Sequence, residues 1–144
     1  MIPKRYLSKL SSKDYKTQKN NILKARKNYR TKKKTSQKYI SRPILKSFKS
    51  KKSSWTKLFH KSYPNAKTLK QISKVTKIPR KALLAVKKKG MGAYYSSGSR
   101  PNQTAESWGL ARVYSYILGG KTRKIDNHIT VKYNVKFKHK SKYK

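Results

Sequence analysis

Ser96, Ser97 and Ser99 are the side chains that could supply a nucleophile, and Asp126 with His128 the pair that could activate one. Their spacing does not assemble them. No Gly-x-Ser-x-Gly elbow surrounds any of the serines. Residues two apart share a side only on a strand, and on a helix they face different ways. Asp126 is instead expected to act structurally, as an ion-pair partner of Lys121, Arg123 or Lys124. The whole acidic inventory is Asp14, Glu106 and Asp126, beside His60, His128 and His139 and no cysteine. Paired-carboxylate catalysis, carboxylate-rich or thiolate metal sites and disulfides therefore have almost no raw material. The expectation is a non-enzyme without catalytic residues, metal, cofactor or small-molecule substrate.

Anion chemistry has far more to work with. The chain carries 41 Lys+Arg against 3 Asp+Glu, a formal net charge of +38 over 144 residues. A surface built only for solubility mixes its signs, so this excess points to polyanionic or acidic partners. Only 8 of the 41 basic residues are Arg. Arg suits bidentate reading of bases and phosphates, whereas Lys is a point charge, so neutralisation without sequence reading is favoured. At one charge per ~1.7 Å of duplex, 38 cations would match roughly 19 base pairs. The candidate contacts are Lys77, Arg80, Lys81, Lys87, Lys88 and Lys89, with Ser97, Ser99 and Arg100. The last three belong to a glycine–serine stretch that admits two readings. The amides of Gly98 and Ser99, Arg100 and the hydroxyls of Ser96, Ser97 and Ser99 could form an anion-binding nest. Alternatively the glycines serve close backbone packing under Trp108. Gly90-Met91-Gly92 is no phosphate loop, because no strand precedes it and no Gly-Lys-Ser/Thr follows.

The elements that would position these groups divide the chain into four segments. Residues 1–66 form a basic arm with 21 Lys+Arg opposed only by Asp14. Ser11 can cap a helix over about residues 12–33, with Asp14 in its first turn. Tyr15, Ile22 and Tyr29 fall at steps of seven with Leu23 and Ala25 beside them, a narrow stripe suited to lying along a partner. Residues 49–54 read as a solvated linker. Trp55, Leu58, Phe59 and Tyr63 follow at amphipathic spacing, ended by Pro64. Tyr15, Ile22, Tyr29, Trp55 and Phe59 are thus the candidate arm interface. The tyrosines spread along the arm (Tyr6, Tyr15, Tyr29, Tyr39, Tyr63) could stack on bases or anchor a protein contact.

Residues 67–89 read as a helical hairpin. Thr68 caps a helix with Leu69, Ile72 and Val75, Lys77-Ile78 break it, and Pro79 suits the first position of the next. That helix carries Ala82, Leu83 and Val86 inward and stops at Gly90. The spacing resembles a helix-turn-helix, with two departures. Lys77 stands where Gly is common, and Ser73 where a small apolar residue is. A hairpin packed for structure alone has the same spacing.

Residues 90–129 hold all 6 glycines in their first 31 positions and, over 90–120, only Arg100 and Arg112 as basic residues. Residues 91–101 read as an irregular loop. Thr104 then caps a helix with Glu106 in its first turn and apolar residues on most faces, and such a helix is buried. Trp108, Ala111, Val113 and Ile117 are the expected core of this module. In residues 130–144, Val131, Tyr133, Val135 and Phe137 alternate with polar residues, a period-two strand followed by a basic tail. The fold class expected is mainly α with a small β element.

No apolar run approaches the ~20 residues of a membrane span, and the charged N-terminal residues do not form a secretory signal. The hydrophobic share is 34% and the mean hydropathy −1.01. Low hydropathy with high net charge opposes compaction, so a polyanion is expected to neutralise the chain in its working state.

Lys89-Gly90-Met91-Gly92-Ala93-Tyr94-Tyr95-Ser96-Ser97-Gly98-Ser99-Arg100-Pro101-Asn102-Gln103-Thr104, with Ser107-Trp108-Gly109-Leu110-Ala111-Arg112 and Gly119-Gly120-Lys121 beyond, resembles a known pattern. It is similar to small, strongly basic, functionally uncharacterised proteins of large double-stranded DNA viruses of algae and amoebae. The opening Leu10-Ser11-Ser12-Lys13-Asp14 and the run from Lys46 to Ser53 share it, while residues 130–144 lie outside. The resemblance implies a viral context and carries no functional residues over. The expectation is a non-enzymatic virion structural protein, a minor capsid or internal component at the particle interior or inner capsid face, using its Lys-rich arm to bind acidic protein or phosphate surfaces. Its partners would be other capsid or virion proteins. The alternatives are a genome-condensing protein holding double-stranded DNA by non-specific phosphate contacts and a helix-turn-helix regulator.

Overall fold

The computed structural model describes residues 1–31, 42–49 and 53–142. The end of the arm helix at 32–33, Tyr39 and linker positions 50–52 lie outside the described residues. Among the described residues the protein is mainly helical, with seven α-helices, one short 3-10 turn and no strand. The helices are α1 (Ser12–Arg30), α2 (Ser54–Ser62), α3 (Leu69–Thr76), α4 (Arg80–Ser96), α5 (Ala105–Leu118), α6 (Lys121–Ile125) and α7 (Asn127–Lys132), and the 3-10 turn is Lys4–Tyr6.

Their starts follow local hydrogen-bond logic. Ser11 caps α1 by accepting from the Asp14 N–H at 3.2 Å. Thr68 and Gln71 form a reciprocal capping box at α3, which satisfies two otherwise orphaned donors. The Thr104 hydroxyl accepts from Ser107 N–H at 3.0 Å at the head of α5.

The chain forms two compact units that cut across the four sequence segments. One comprises Met1–Lys51 and Met91–Trp108, the other Lys52–Gly90 and Gly109–Lys144. In the first, α1 buries Gln18, Ile22 and Ala25. Tyr15 and Leu23, expected on that stripe, are 42% and 44% exposed, so the inward face runs through 18, 22 and 25. In the second unit a contiguous apolar core joins Phe59, Ile72, Ile78, Leu83, Val86, Val113, Tyr116, Ile117, Ile129 and Val135 among others. Phe59 stacks on Tyr114 with ring centroids 4.4 Å apart.

Two expectations are overturned. Gly90 does not stop the hairpin's second helix, and residues 91–96 are not loop: α4 runs on to Ser96. A glycine costs a helix about 1 kcal/mol relative to Ala, but here it serves a crossing. A Cβ on Gly90 would lie 2.7 Å from the Gly109 Cα of α5, so the two glycines let the backbones touch. The helix instead ends where Ser97 and Gly98 both donate to the Ala93 carbonyl, with Gly98 at φ +112. The C-terminal strand is likewise absent, because residues 127–132 are helical. Asn134 takes the left-handed conformation (φ +50), its N–H donates to Val131 O, and Val135 N–H donates to Thr130 O. This is a helix-ending motif, which a glycine or an asparagine can supply. It buries Val135 and leaves Val131 71% exposed, so the alternation from 131 to 137 never shares one face.

Candidate nucleic-acid interface

In the second unit, α3 and α4 form the expected hairpin around a three-residue connection, Lys77-Ile78-Pro79. Ile72, Thr76, Ile78, Ala82, Leu83 and Val86 are its buried inner residues. Lys77 adopts φ +61, the left-handed conformation for which glycine would be the usual choice. Ser73 turns its hydroxyl onto the Ile78 carbonyl at 2.6 Å, and Thr76 bonds back to Ile72 O at 2.7 Å. The two departures from helix-turn-helix spacing are therefore absorbed by the turn itself.

Opposite the buried row, Lys77, Arg80, Lys81, Leu84 and Lys88 are exposed, Leu84 at 40%. On a 3.6-residue period, 80, 81, 84 and 88 lie together, facing away from 82, 83 and 86. Lys89 is also exposed and Lys87 is half-buried. No carboxylate occurs between Asp14 and Glu106, so residues 67–89 set 9 cations against none.

The glycine–serine stretch in the first unit is differently used. Ser99 is wholly buried and Ser97 and Arg100 are exposed. The Ser97 carbonyl accepts two bonds from the Arg26 guanidinium at 2.7 and 2.9 Å. Gln18 donates to Ser99 O at 3.2 Å, and Arg42 to Tyr94 O at 3.1 Å and to the Ser99 hydroxyl at 2.6 Å. That hydroxyl in turn donates to Arg100 O at 2.9 Å. The stretch is clamped as an acceptor by side chains of its own unit. Gly98 packs on Ile22 of α1 rather than under Trp108, since a Cβ there would lie 3.0 Å from the Ile22 methyl.

Of the other sites read from sequence, Ile22 and Phe59 are fully buried within their own units and Tyr29 and Trp55 are half-buried, leaving Tyr15 exposed. Val113 and Ile117 are core, whereas Trp108 and Ala111 are half-buried. Trp108 meets Tyr6 edge-to-face at 5.9 Å. His128 is exposed. Asp126 is 1% exposed and pairs with neither Lys121, Arg123 nor Lys124: its two oxygens accept from Arg112 at 2.8 and 2.9 Å. Among the described residues no group of three or more His, Asp or Glu is placed to hold a metal ion, and no helix is long and apolar enough to cross a membrane.

Sequence reasoning missed the arginines as builders. Arg123 donates to Tyr116 O, Ile117 O and His139 O, at 3.1, 2.7 and 2.7 Å, with its guanidinium 3.7 Å from the Phe137 ring centroid. Burial lowers its pKa, and that of Arg42, from the ordinary guanidinium range. Burial likewise raises the Tyr114 and Tyr116 hydroxyls. Arg26, Arg42, Arg112 and Arg123 are the four partly buried arginines, and each bonds backbone or carboxylate oxygens of its own unit. By contrast, 25 of the 26 described lysines are exposed. Half of the eight arginines thus direct their planar fork inward, whereas Arg5, Arg30, Arg80 and Arg100 are exposed and the point charge of Lys is turned outward almost throughout.

The chain belongs to a family of unknown function, DUF5824, whose model matches residues 3–136, 134 of the 144 positions. No curated protein and no solved structure matches it.

Proposed function

We propose, for a chain whose family carries no assigned activity, that it is a non-enzymatic component of a large DNA virus particle. It binds the sugar–phosphate backbone of DNA through a folded, lysine-covered surface. The observation that carries the reading is the outward lysine shell: 25 of 26 described lysines are exposed. Asp14 and Asp126 meanwhile accept hydrogen bonds inside their own units. A surface charged in one sign attracts a polyanion by releasing its condensed counterions. The particle context follows from the resemblance to viral proteins, with the particle interior or inner capsid face as its location.

Docking on acidic capsid or other virion proteins is the second reading, and it calls for exposed apolar positions along the arm. Ile22, the middle of the stripe on α1, and Phe59, in the second amphipathic segment, are at 0% exposure within their own units. That burial supports DNA over protein as the partner.

The test is a titration of the full chain against a labelled 24-base-pair duplex, followed by fluorescence anisotropy from 50 to 400 mM salt. Log affinity should fall steeply and linearly with log salt, as it does for a protein making several phosphate contacts. A flat dependence would overturn the reading. In disrupted, salt-washed particles, nuclease digestion should release the chain with the genome. Retention in the washed shell would make protein docking its function instead.

A further inference from the structure

The reading above leaves the bound face and the form of the nucleic acid unassigned. We infer that the α3–α4 hairpin enters the major groove of duplex DNA, with the first half of α4 in the groove and α3 across the backbone. This inference rests on the phosphate-binding reading and adds to it a groove, a duplex and a set of residues.

Four observations on this one element converge. The connection Lys77-Ile78-Pro79 has three residues, the length that joins the helices of a helix-turn-helix. Lys77 takes the left-handed conformation at φ +61, so the turn closes without the glycine it usually employs. The inner residues Ile72, Ile78, Leu83 and Val86 are at most 1% exposed and belong to one apolar core, which seats both helices on the same interior. The outer face of α4 is cationic at Arg80, Lys81 and Lys88, with Leu84 between them, and no acidic residue lies on either helix.

That face matches a groove better than a bare phosphate row. B-form DNA admits one α-helix into its ~12 Å major groove, with phosphates along both edges. Lys81 and Lys88, on one flank of the face, would meet the phosphates along one of those edges. Arg80, in the first turn, reaches toward the base edges, where its fork pairs with guanine O6 and N7. Leu84, one turn on, offers the apolar contact that a thymine methyl takes. The face carries no Asn, Gln, Asp or Glu among these four positions. The groove would accordingly be occupied with only a slight sequence preference, set at the base pair under Arg80.

The experiment uses the full chain with a 24-base-pair duplex and one of its strands alone, at moderate salt. Wild type is compared with the triple variant Arg80→Ala/Lys81→Ala/Lys88→Ala. A second triple, Lys16→Ala/Lys19→Ala/Lys27→Ala, removes the same charge from exposed positions of α1. All six positions are exposed, and circular dichroism verifies that each variant is folded. The hairpin triple should weaken duplex binding about tenfold or more, and the α1 triple only a few-fold. The duplex should also bind tighter than the single strand. Dimethyl sulfate, which methylates guanine N7 in the major groove, gives the direct readout: wild type should protect N7 and the hairpin triple should not. Equal losses from the two triples, equal binding of single strand and duplex, or binding without N7 protection would each overturn groove docking while leaving phosphate binding intact. No binding of wild type to either DNA would instead remove the phosphate reading, and this inference with it.

Discussion

The two units hold together by different means. Lys52–Gly90 with Gly109–Lys144 is organised around a contiguous apolar core in which Phe59, Ile72, Leu83, Val86, Val113 and Tyr116 are all fully buried. Met1–Lys51 with Met91–Trp108 buries far fewer apolar side chains, chiefly Tyr6, Ile22, Ala25, Leu45 and Tyr94. Its cohesion comes from long polar side chains reaching main-chain oxygens: Gln18 to Tyr6 and Ser99, Arg26 to Ser97, Arg42 to Tyr94, Asn102 to Leu45 and Phe48. A chain with so few apolar residues cannot give both units the same kind of interior. One unit takes most of the hydrophobic effect, which scales with apolar area removed from water. The other relies on hydrogen bonds whose net contribution is about 1 kcal/mol each but whose removal leaves buried groups unsatisfied.

The largest effect is expected in the apolar unit. Phe59→Ala removes a fully buried ring stacked on Tyr114 and should lower global stability by about 3–5 kcal/mol in chemical denaturation. A loss below about 1 kcal/mol would mean that this core does not dominate.

A middle-sized effect belongs to the polar unit. Asn102 sits at φ +61, accepts from Leu45 N–H at 2.7 Å, and donates to Leu45 O and Phe48 O at 3.1 and 3.2 Å. Asn102→Gly keeps the left-handed backbone accessible while deleting those bonds. It should cost about 1–3 kcal/mol, with hydrogen-exchange protection lost first at the Leu45 amide. Unchanged protection there would show that apolar contacts, not Asn102, hold residues 45–48.

The smallest effect is a pH dependence. Hydrogen bonds from the Ser47 hydroxyl and N–H hold the Asp14 carboxyl below its ordinary pKa. A carboxylate whose folded pKa is depressed stabilises the fold above its unfolded pKa, and that contribution is lost as pH falls through the folded value. Protection of the Ser47 amide should therefore hold at neutral pH and weaken only in acid. Asp14→Asn should flatten that dependence, and a profile unchanged by the substitution would assign it elsewhere.

What was legible in the sequence was what depends on neighbours along the chain. The caps at Ser11, Thr68 and Thr104 follow from a side-chain oxygen three residues before an orphaned N–H. The inner row of the hairpin followed from apolar spacing, and with it the outward side of Arg80, Lys81 and Lys88. What was not legible depends on distant partners. Gly90 reads as a helix stop until Gly109 stands against it. The alternation through Val131 and Val135 reads as a strand because each residue type suits one, while Asn134, the one residue able to end a helix there, carries no weight in a hydrophobic pattern. The arginine clamps were invisible for the same reason: their acceptors are main-chain carbonyls, which every residue has. Asp126 was read correctly as structural but paired with sequence neighbours, whereas its partner Arg112 lies 14 positions back.

The scarcity of acidic side chains, two of which (Asp14 and Asp126) accept hydrogen bonds within their own units, leaves the protein's charge almost indifferent to pH. From neutrality down to strong acid the side chains can gain at most six protons, three on carboxylates and three on histidines, which moves the formal charge from +38 to +44 (38 + 3 + 3). If the chain holds a polyanion as proposed, acidification adds positive charge to its side chains and gives them no means of release. On that proposal, release would have to come from competing salt or polyanions, or from enzymes that cap lysine amines or add phosphate to hydroxyls.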